Sequence, residues 1–351
     1  MPSIPKKIDW TIVRKLQADR YLAVKKHPTA ELYICNYTAK TQYDAHWNDY
    51  TLACRGLIVD GEGTIVARPF PKFFNLHSEV KMADLPDEEY QVYDKLDGSL
   101  GILYWLNEEP HIATRGSFNS HQAIRATRIL HDKYASLIPQ LNREITYLFE
   151  IILPENQIVI DYQDTEDIFL VAQVHTASGR DIGISDVGFP TVPSYPGPVS
   201  LQDLGKLEEQ GKEGFVIRFS GGQRVKLKFS EYVRLHRIIT GLSTITIWEC
   251  LSQGQSLDAL LEKIPDEVYD WVRQTSEAML KDFTNIEQQC REVYRELPTR
   301  RETALYFQQQ RYPAVLFAML TGKDYGPIIW KMLRPKGSDT YFKQEKAAPR
   351  D

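Results

Sequence analysis

Five short stretches of this 351-residue chain put charged side chains where a buried strand would be apolar. "DKLDGSLGILYW" sets Lys95, Asp97 and Gly98 directly before an apolar run. A tight turn has uses for Asp and Gly, but none for a lysine. "YLFEIIL" carries Glu150 in its middle, "EGFVIRF" follows Glu213 with Gly214, and "RVKLKF" alternates Lys226 and Lys228 with Val225, Leu227 and Phe229. An Arg55–Gly56 pair precedes them all. Residues i and i+2 of a strand share a face, so Lys226 and Lys228 point the same way. A lysine pair on the concave face of a sheet makes a site for phosphate. Each stretch alone has a plainer reading. A strand glutamate is usually exposed or paired, "VKLKF" fits an edge strand guarded by lysines, "KLDGS" fits a turn, and Arg-Gly dipeptides are common. Those readings weaken when all five stand in one chain.

Residues 30 to 240 supply the frame. "RGLIVDGEGTIVARPF", "SLGILYWLNEEPHIATRGSF", "YLFEIILPENQIVIDY" and "GFVIRFSGGQRVKLKF" each read as two β-rich runs around a turn, four hairpins in all. A helix fits between the second and third, over Gln122 to Leu137, with Ser120 as its cap. Hairpins with few intervening helices predict antiparallel sheets in an α+β domain. After about Gly241 the alternation ends. Val268, Val272, Thr275, Met279, Phe283, Ile286, Cys290 and Val293 recur at steps of three and four, one face of a long helix with Pro265 near its start. A second helical stretch runs from about Tyr312 to Leu333, interrupted near Gly322 and Gly326, and the tail from Gly337 is polar and loose. The expected organisation is an antiparallel-sheet domain over 1–240 and an all-helical domain over 241–351.

Composition is that of a globular chain, with 42% hydrophobic and 25% charged residues. A net charge of −5 carries no polycation signature, so any nucleic-acid site must be local. Four cysteines without a Cys-x-x-Cys pair argue against a zinc module or a disulfide framework and fit a reducing cytosol. "MPSIPKKIDW" lacks an apolar leader, and no apolar run approaches the ~18 residues of a membrane span. The expectation is a cytoplasmic protein with no membrane partner.

The order Arg55–Gly56, Lys95-x-Asp97–Gly98, Glu150, Glu213–Gly214, Lys226-x-Lys228 resembles the covalent nucleotidyltransferase superfamily of DNA ligases, RNA ligases and mRNA capping enzymes. "ACRGLIVD", "ARPFPKFFNLHSE", "KLDGSL", "RGSFNSHQA", "YLFEIILPENQIVIDY", "EGFVIRF" and "VKLKFSEYVRLH" narrow it to the family of the first RNA ligase of T-even bacteriophages, over roughly residues 30 to 240. That phage family has Lys-Gly-Ser where this chain has Arg115–Gly116–Ser117, and Arg and Lys hold phosphate differently.

The resemblance implies an ATP-dependent RNA ligase. It joins 3′-OH and 5′-phosphate RNA ends, a cleaved tRNA among them, in repair, with a kinase or phosphatase preparing the ends. Lys95 would attack the α-phosphorus of ATP, pass AMP to an RNA 5′-phosphate, and release it when a 3′-hydroxyl attacks. A free lysine, with pKa about 10.4, is a poor nucleophile until neighbouring cations lower it. The resemblance makes Glu213 a ligand of Mg²⁺, or Mn²⁺ in its place, and Glu150 a ribose contact or a ligand through water. Lys226 and Lys228 would meet the α-phosphate, and Arg55, Lys72 and Arg115 the outer or RNA phosphates. Phe74 would stack on adenine, with Asp97 and Gly98 completing the nucleotide-binding motif. The alternatives left open are another polynucleotide ligase, a capping enzyme, and an RNA-end-binding protein without turnover. The first two usually continue into a strand-rich OB-fold, which the helical pattern after Gly241 disfavours. Arg291, Arg295, Arg300 and Arg301, and Lys331, Arg334 and Lys336, form basic clusters there, readable as an RNA surface or as a solvated face laced with i,i+4 pairs.

Overall fold

The alternating apolar residues before residue 240 form three sheets. The computed structural model describes residues 6–154, 159–160, 162–195, 201–204, 212–230, 232–233, 242–257, 261 and 269–335, and the chain divides into two compact units, 1–239 and 240–351. In the first unit, strands β1 (Leu22–Lys26), β2 (Leu32–Tyr37), β3 (Arg55–Asp60) and β4 (Ile65–Ala67) make an antiparallel sheet in chain order. A third sheet combines β5 (Phe74–Asn75), β6 (Tyr90–Asp94), β12 (Ser194–Tyr195), β13 (Gly214–Phe219) and β14 (Arg224–Lys228) in the order β12-β6-β13-β14-β5. Between them in the chain come β7 (Ser99–Leu106), β8 (Glu109–Thr114), β9 (Ile145–Ile152), β10 (Asp167–His175) and β11 (Asp181–Gly183), which form the second sheet in the order β11-β10-β9-β7-β8. All pairings are antiparallel except β5 on β14. The expected α+β class with antiparallel sheets followed by helices is what the chain adopts.

Three of the four expected hairpins form. The second closes on Asn107 and Glu108, both at positive φ, the backbone twist that a two-residue connection between right-twisted strands requires. The third does not form among the described residues. β9 pairs with β7 and β10 and is buried along most of its length, which is how a continuous apolar run behaves in the middle of a sheet. Of the expected return limb, 155–158 and 161 lie outside the described residues. Val159 and Ile160 are not in a strand, and their N–H groups donate to Asp97 instead. The helix after the second hairpin starts where expected, with Ser120 accepting from the Ala123 N–H, but stops at Lys133. Tyr134 caps it with its N–H on the Leu130 carbonyl, and a 3-10 turn over Ile138–Gln140 follows.

The second unit is helical in its described residues, at Thr244–Ser252, Tyr269–Val293, Arg300–Gln308, Pro313–Leu320 and Gly326–Met332. Ile286, Cys290, Phe307, Val315, Leu316 and Ile329 make its core, and Gly322 at φ +64 ends the fourth of these helices. Pro265, Val268, Lys336 and the tail lie outside the described residues. No helix among the described residues is long and apolar enough to cross a membrane.

The second and third sheets share no strand pairing, yet several links join them, among them the 190–195 segment, where the Leu170 N–H donates to the Pro190 carbonyl and Ser194 pairs with Tyr93. The chain crosses from β6 to β7 through Lys95–Gly98. Farther along, Asp181 on β11 accepts from Arg218 Nε at 2.8 Å and Arg224 Nε at 2.8 Å, and both arginines belong to the third sheet. Burial pushes the Asp181 carboxyl up, but Arg224 and Arg218 together outweigh it and hold the group below its ordinary value. A carboxylate so depressed contributes stability that is present above its unfolded pKa of about 3.9 and lost as pH falls through the folded value. Asp181→Asn should therefore cost about 3 kcal/mol or more at pH 7, because it strands buried Arg224. The gap from wild type should shrink below about pH 4. Urea unfolding at the two pH values measures both; superimposable curves at pH 7 would remove the ion pairs from the stability of this unit.

Candidate active site

Glu213 is the residue on which the predicted site residues converge. It is 3% exposed, and its Oε2 takes the Lys95 ammonium at 2.7 Å while Oε1 takes Lys228 at 3.1 Å. Two residues place it there. Gly214, at φ +144, lets β14 come so close that a Cβ would meet the Leu227 carbonyl oxygen at 2.0 Å. The Lys95 N–H in turn donates to the Gly214 carbonyl at 2.9 Å. The Glu-Gly and Lys-x-Asp-Gly motifs are thus hydrogen-bonded to one another through the main chain.

β14 is not an edge strand. β13 pairs along one side of it and Phe74–Asn75 along the other, with Val225 opposite Phe74 and Lys226 opposite Asn75. Val225 and Leu227 enter the apolar core of the third sheet, and the intervening face carries Arg224, Lys226 and Lys228. Lys226 is 8% exposed, which is no way to guard an edge.

Across the gap stands Glu150 on β9, whose Oε1 accepts the Gly98 N–H at 3.2 Å. Gly98 has no room for a side chain, since a Cβ would lie 2.5 Å from the Ile151 carbonyl oxygen. Glu150 keeps some exposed surface, but its carboxyl is surrounded closely enough that burial is the main force on it. Burial pushes its pKa up to about 7, against Lys95, with Glu213 adding to the rise, Arg55 opposing it and Asp97 adding again. Near neutral pH Glu150 therefore lies between its neutral and charged forms.

Asp97 is bonded on all sides within the fold. It is buried, and its Oδ2 accepts the N–H groups of Val159 and Ile160 at 3.1 and 3.2 Å, while Oδ1 accepts the Tyr232 hydroxyl at 2.9 Å. Its own N–H donates to the Tyr162 hydroxyl. These bonds gather two distant segments, around residues 159–162 and at Tyr232, about the crossover that carries Lys95.

The remaining predicted cations lie against aromatic rings. Lys72 is 5% exposed, with its Nζ 5.3 Å from Phe74, 5.6 Å from Trp47 and 5.9 Å from Tyr37. The Arg115 guanidinium lies 5.4 Å from the same Tyr37 ring. Arg55 lies over Phe70 at 5.0 Å, and Gly56 at φ +91 brings β3 against the Arg115 main chain, 3.1 Å from where a Cβ would stand. A face of Phe74 is therefore already engaged by Lys72. Tyr37, Trp47, Tyr162 and Tyr232 escaped the sequence reading, because an aromatic in a β-rich chain looks like core. Their only local signal was proximity to the motifs, as with Tyr232 four residues after Lys228.

Residues 53–181 match the family model described as RNA ligase. That segment is less than half of the chain. It contains Arg55, Lys72, Phe74, Lys95, Asp97, Gly98, Arg115 and Glu150, while Glu213, Lys226 and Lys228 lie beyond it and join it through the contacts above. Relatives in this RNA ligase group are distant. The chain is 25% identical over 242 residues to a protein of Autographa californica nuclear polyhedrosis virus provisionally named a bifunctional polynucleotide kinase/RNA ligase, over 61% of this chain and 35% of that one. It is 23% identical over 318 residues to the RNA ligase of Rhodothermus phage RM378, over 68% and 70% of the two chains. It is 26% identical over 213 residues to RNA ligase 1 of Bacteriophage TS2126, over 53% and 52%. The chain thus spans about a third of the first of these proteins and about half of the last. A solved RNA ligase from Naegleria gruberi with PPi aligns over 43% of this chain and 52% of that one, at 16% identity and a TM-score of 0.36.

If Asp97 organises the crossover, Asp97→Asn should destabilise the chain by about 2 kcal/mol or more. The amide replaces one acceptor with a donor that faces groups already donating. Urea unfolding checks this, and a midpoint equal to wild type would return Asp97 to the role of a ligand contact.

Proposed function

We propose that the chain is an ATP-dependent RNA ligase that joins RNA 3′-OH and 5′-phosphate ends through a lysyl-AMP on Lys95. One observation carries the reading: the Lys95 ammonium lies 2.7 Å from a buried glutamate that also holds Lys228, inside a cleft built on a segment that matches the RNA ligase family model.

The chemistry assigns each group a task. The Lys95 amine, once it has lost a proton, attacks the α-phosphorus of ATP. An N–P bond forms, the bond to the β-phosphate oxygen breaks, and pyrophosphate leaves. Lys226 and Lys228 face the α-phosphate and stabilise the charge that grows on it. Arg55, Lys72 and Arg115 hold the outer phosphates, then the RNA phosphate. An oxygen of the RNA 5′-phosphate next displaces Lys95 from the AMP. The 3′-hydroxyl then attacks that 5′-phosphorus, loses its proton, and AMP departs as the phosphodiester forms.

No cluster of three or more His, Cys, Asp or Glu occurs among the described residues. Two carboxylates near a triphosphate suit Mg²⁺, which takes one or two of them, phosphate oxygens and water, and Mn²⁺ can substitute. Glu213, with Glu150 beside it, would hold such an ion, which neutralises phosphate charge when bound. The Naegleria gruberi RNA ligase has been solved, as a mutant, with ATP and Mn, in keeping with that choice.

RNA ends that need sealing in repair, cleaved tRNA among them, are the substrates this chemistry fits. The relative whose name joins a polynucleotide kinase to an RNA ligase suggests an end-preparing partner. Four free cysteines fit a reducing, cytoplasmic setting. The second unit, helical where described rather than strand-rich, favours an RNA ligase over a DNA ligase or capping enzyme. We assign it RNA recognition. Arg291 pairs with Glu287 one turn away and Arg295 lies over Tyr306, so those two belong to a solvated face, and exposed Arg300 and Arg301 become the candidate RNA contacts.

Incubation with ATP and Mg²⁺ should add one AMP to Lys95, lost in mild acid and stable in base. Lys95→Ala should remove the adduct, and Glu213→Ala should slow its formation ~10²-fold or more. Mass spectrometry reads both; a Lys95→Ala chain labelled to full stoichiometry would end the assignment. Arg300→Glu with Arg301→Glu should weaken RNA binding and flatten its salt dependence, while the adduct forms at the wild-type rate. An unchanged salt slope would take the RNA surface away from this helix.

A further inference from the structure

Arg224 shares its strand face with Lys226 and Lys228, yet it turns away from the crossover end of the cleft. Its Nε and Nη2 lie 2.8 and 2.7 Å from Asp181 Oδ2. Arg218, opposite Arg224 in the β13–β14 register, puts Nε on Oδ1 at 2.8 Å and Nη2 on the Asp181 carbonyl at 3.1 Å. The carboxylate is gripped at both oxygens and at its own main chain. Beyond Arg224 lies Phe70, 5.1 Å from that guanidinium and 5.0 Å from Arg55.

The second sheet carries Glu150 and the third carries Lys226 and Lys228. No strand ladder sets the gap between them. It is spanned by the Lys95–Gly98 crossover, by main-chain bonds of the 190–195 segment to Leu170 and Asp94, and by the side chains of this Arg-Asp-Arg triad. Stability is a weak explanation for the triad. Replacing buried ionic triads with apolar side chains of similar volume is often neutral or stabilising, since their desolvation costs about as much as their attraction returns. What an apolar replacement lacks is direction. Five N–H groups on three nitrogens in a fixed fork define an angle and a distance, and methionine and leucine define neither.

We propose that Asp181 is a positioning residue: through Arg218 and Arg224 it fixes the separation of the two sheets and thereby where Lys226 stands over the reacting phosphate. This rests on the nucleotidyl-transfer reading of the cleft. Reaction rates are far more sensitive to such placement than stability is, with about 1 Å of misplacement able to cost ~10²-fold.

The test is single-turnover formation of the Lys95–AMP adduct by the full chain over a range of ATP concentrations. It compares wild type, the triple variant Asp181→Leu/Arg218→Met/Arg224→Met, and Arg218→Lys. The triple variant should unfold at a urea concentration no lower than wild type, yet its maximal rate should fall ~10-fold or more while half-saturating ATP moves less than about threefold. Arg218→Lys keeps the charge but breaks the two-atom grip and should show a smaller loss of the same kind. It also carries the reading should the triple variant not fold. A maximal rate within about twofold of wild type in the folded variants overturns the inference. So does weaker ATP binding at an unchanged maximal rate, which would make the arginines simple ligand contacts. A wild-type chain that forms no adduct overturns the transfer reading itself, and the positioning role with it; a wild type that labels normally beside equally fast variants overturns the positioning role alone.

Discussion

A carboxylate at 3% exposure between two lysines is the interaction on which the rest of the site depends. Removing one charge from water costs several kcal/mol, and the cost is recovered only with close, well-directed partners. Glu213 has two, and meeting both requires β6, β13 and β14 to approach within narrow tolerances. Gly214 makes that approach feasible, and the bond from the Lys95 N–H to the Gly214 carbonyl holds it. The ladder that continues from there, with Phe215 opposite Asp94 and Gly214 opposite Lys228, is ordinary antiparallel sheet. The unusual chemistry therefore occupies the end of a regular structure, where the sheet's own hydrogen bonds set the distances.

Aromatic rings line the other cations. Lys72, Arg55 and Arg115 each rest against an aromatic face, worth about 0.5–2 kcal/mol apiece according to burial. A ring stabilises a cation without neutralising it. The nearby carboxylates Asp97 and Asp181 serve the frame. Asp97 and Asp181 are committed to backbone, hydroxyl and guanidinium donors that build the frame. Glu150, its pKa pushed up to about 7 by burial, carries less than a full negative charge near neutral pH.

What was legible in the sequence was whatever a local rule encodes. The β3–β4, β7–β8 and β13–β14 hairpins announce themselves through turn residues between alternating strands, and the helix at His121–Lys133 through its Ser120 cap. Lys95, Glu213, Lys226 and Lys228 stood out because charge in an apolar strand is locally anomalous. The third hairpin misled because β9 finds its partners in β7 and β10, and no local feature separates that from pairing with the next residues. Helix Arg300–Gln308 was missed although its Thr299–Glu302 capping box was readable. Asp97 shows the deeper limit: its motif was evident, but that it bonds Val159, Ile160 and Tyr232 follows only from the path of the whole chain.

Net charge was the least informative global property, and the site explains why. The chain carries −5, yet Lys95, Lys228 and Arg55, from three separate stretches, lie about Glu213 and Glu150. Potential inside a cleft with low-dielectric walls is set by the charges lining it, since those on the far surface are screened within about 10 Å at ordinary salt. A negative net charge and a locally cationic site are then compatible within one chain.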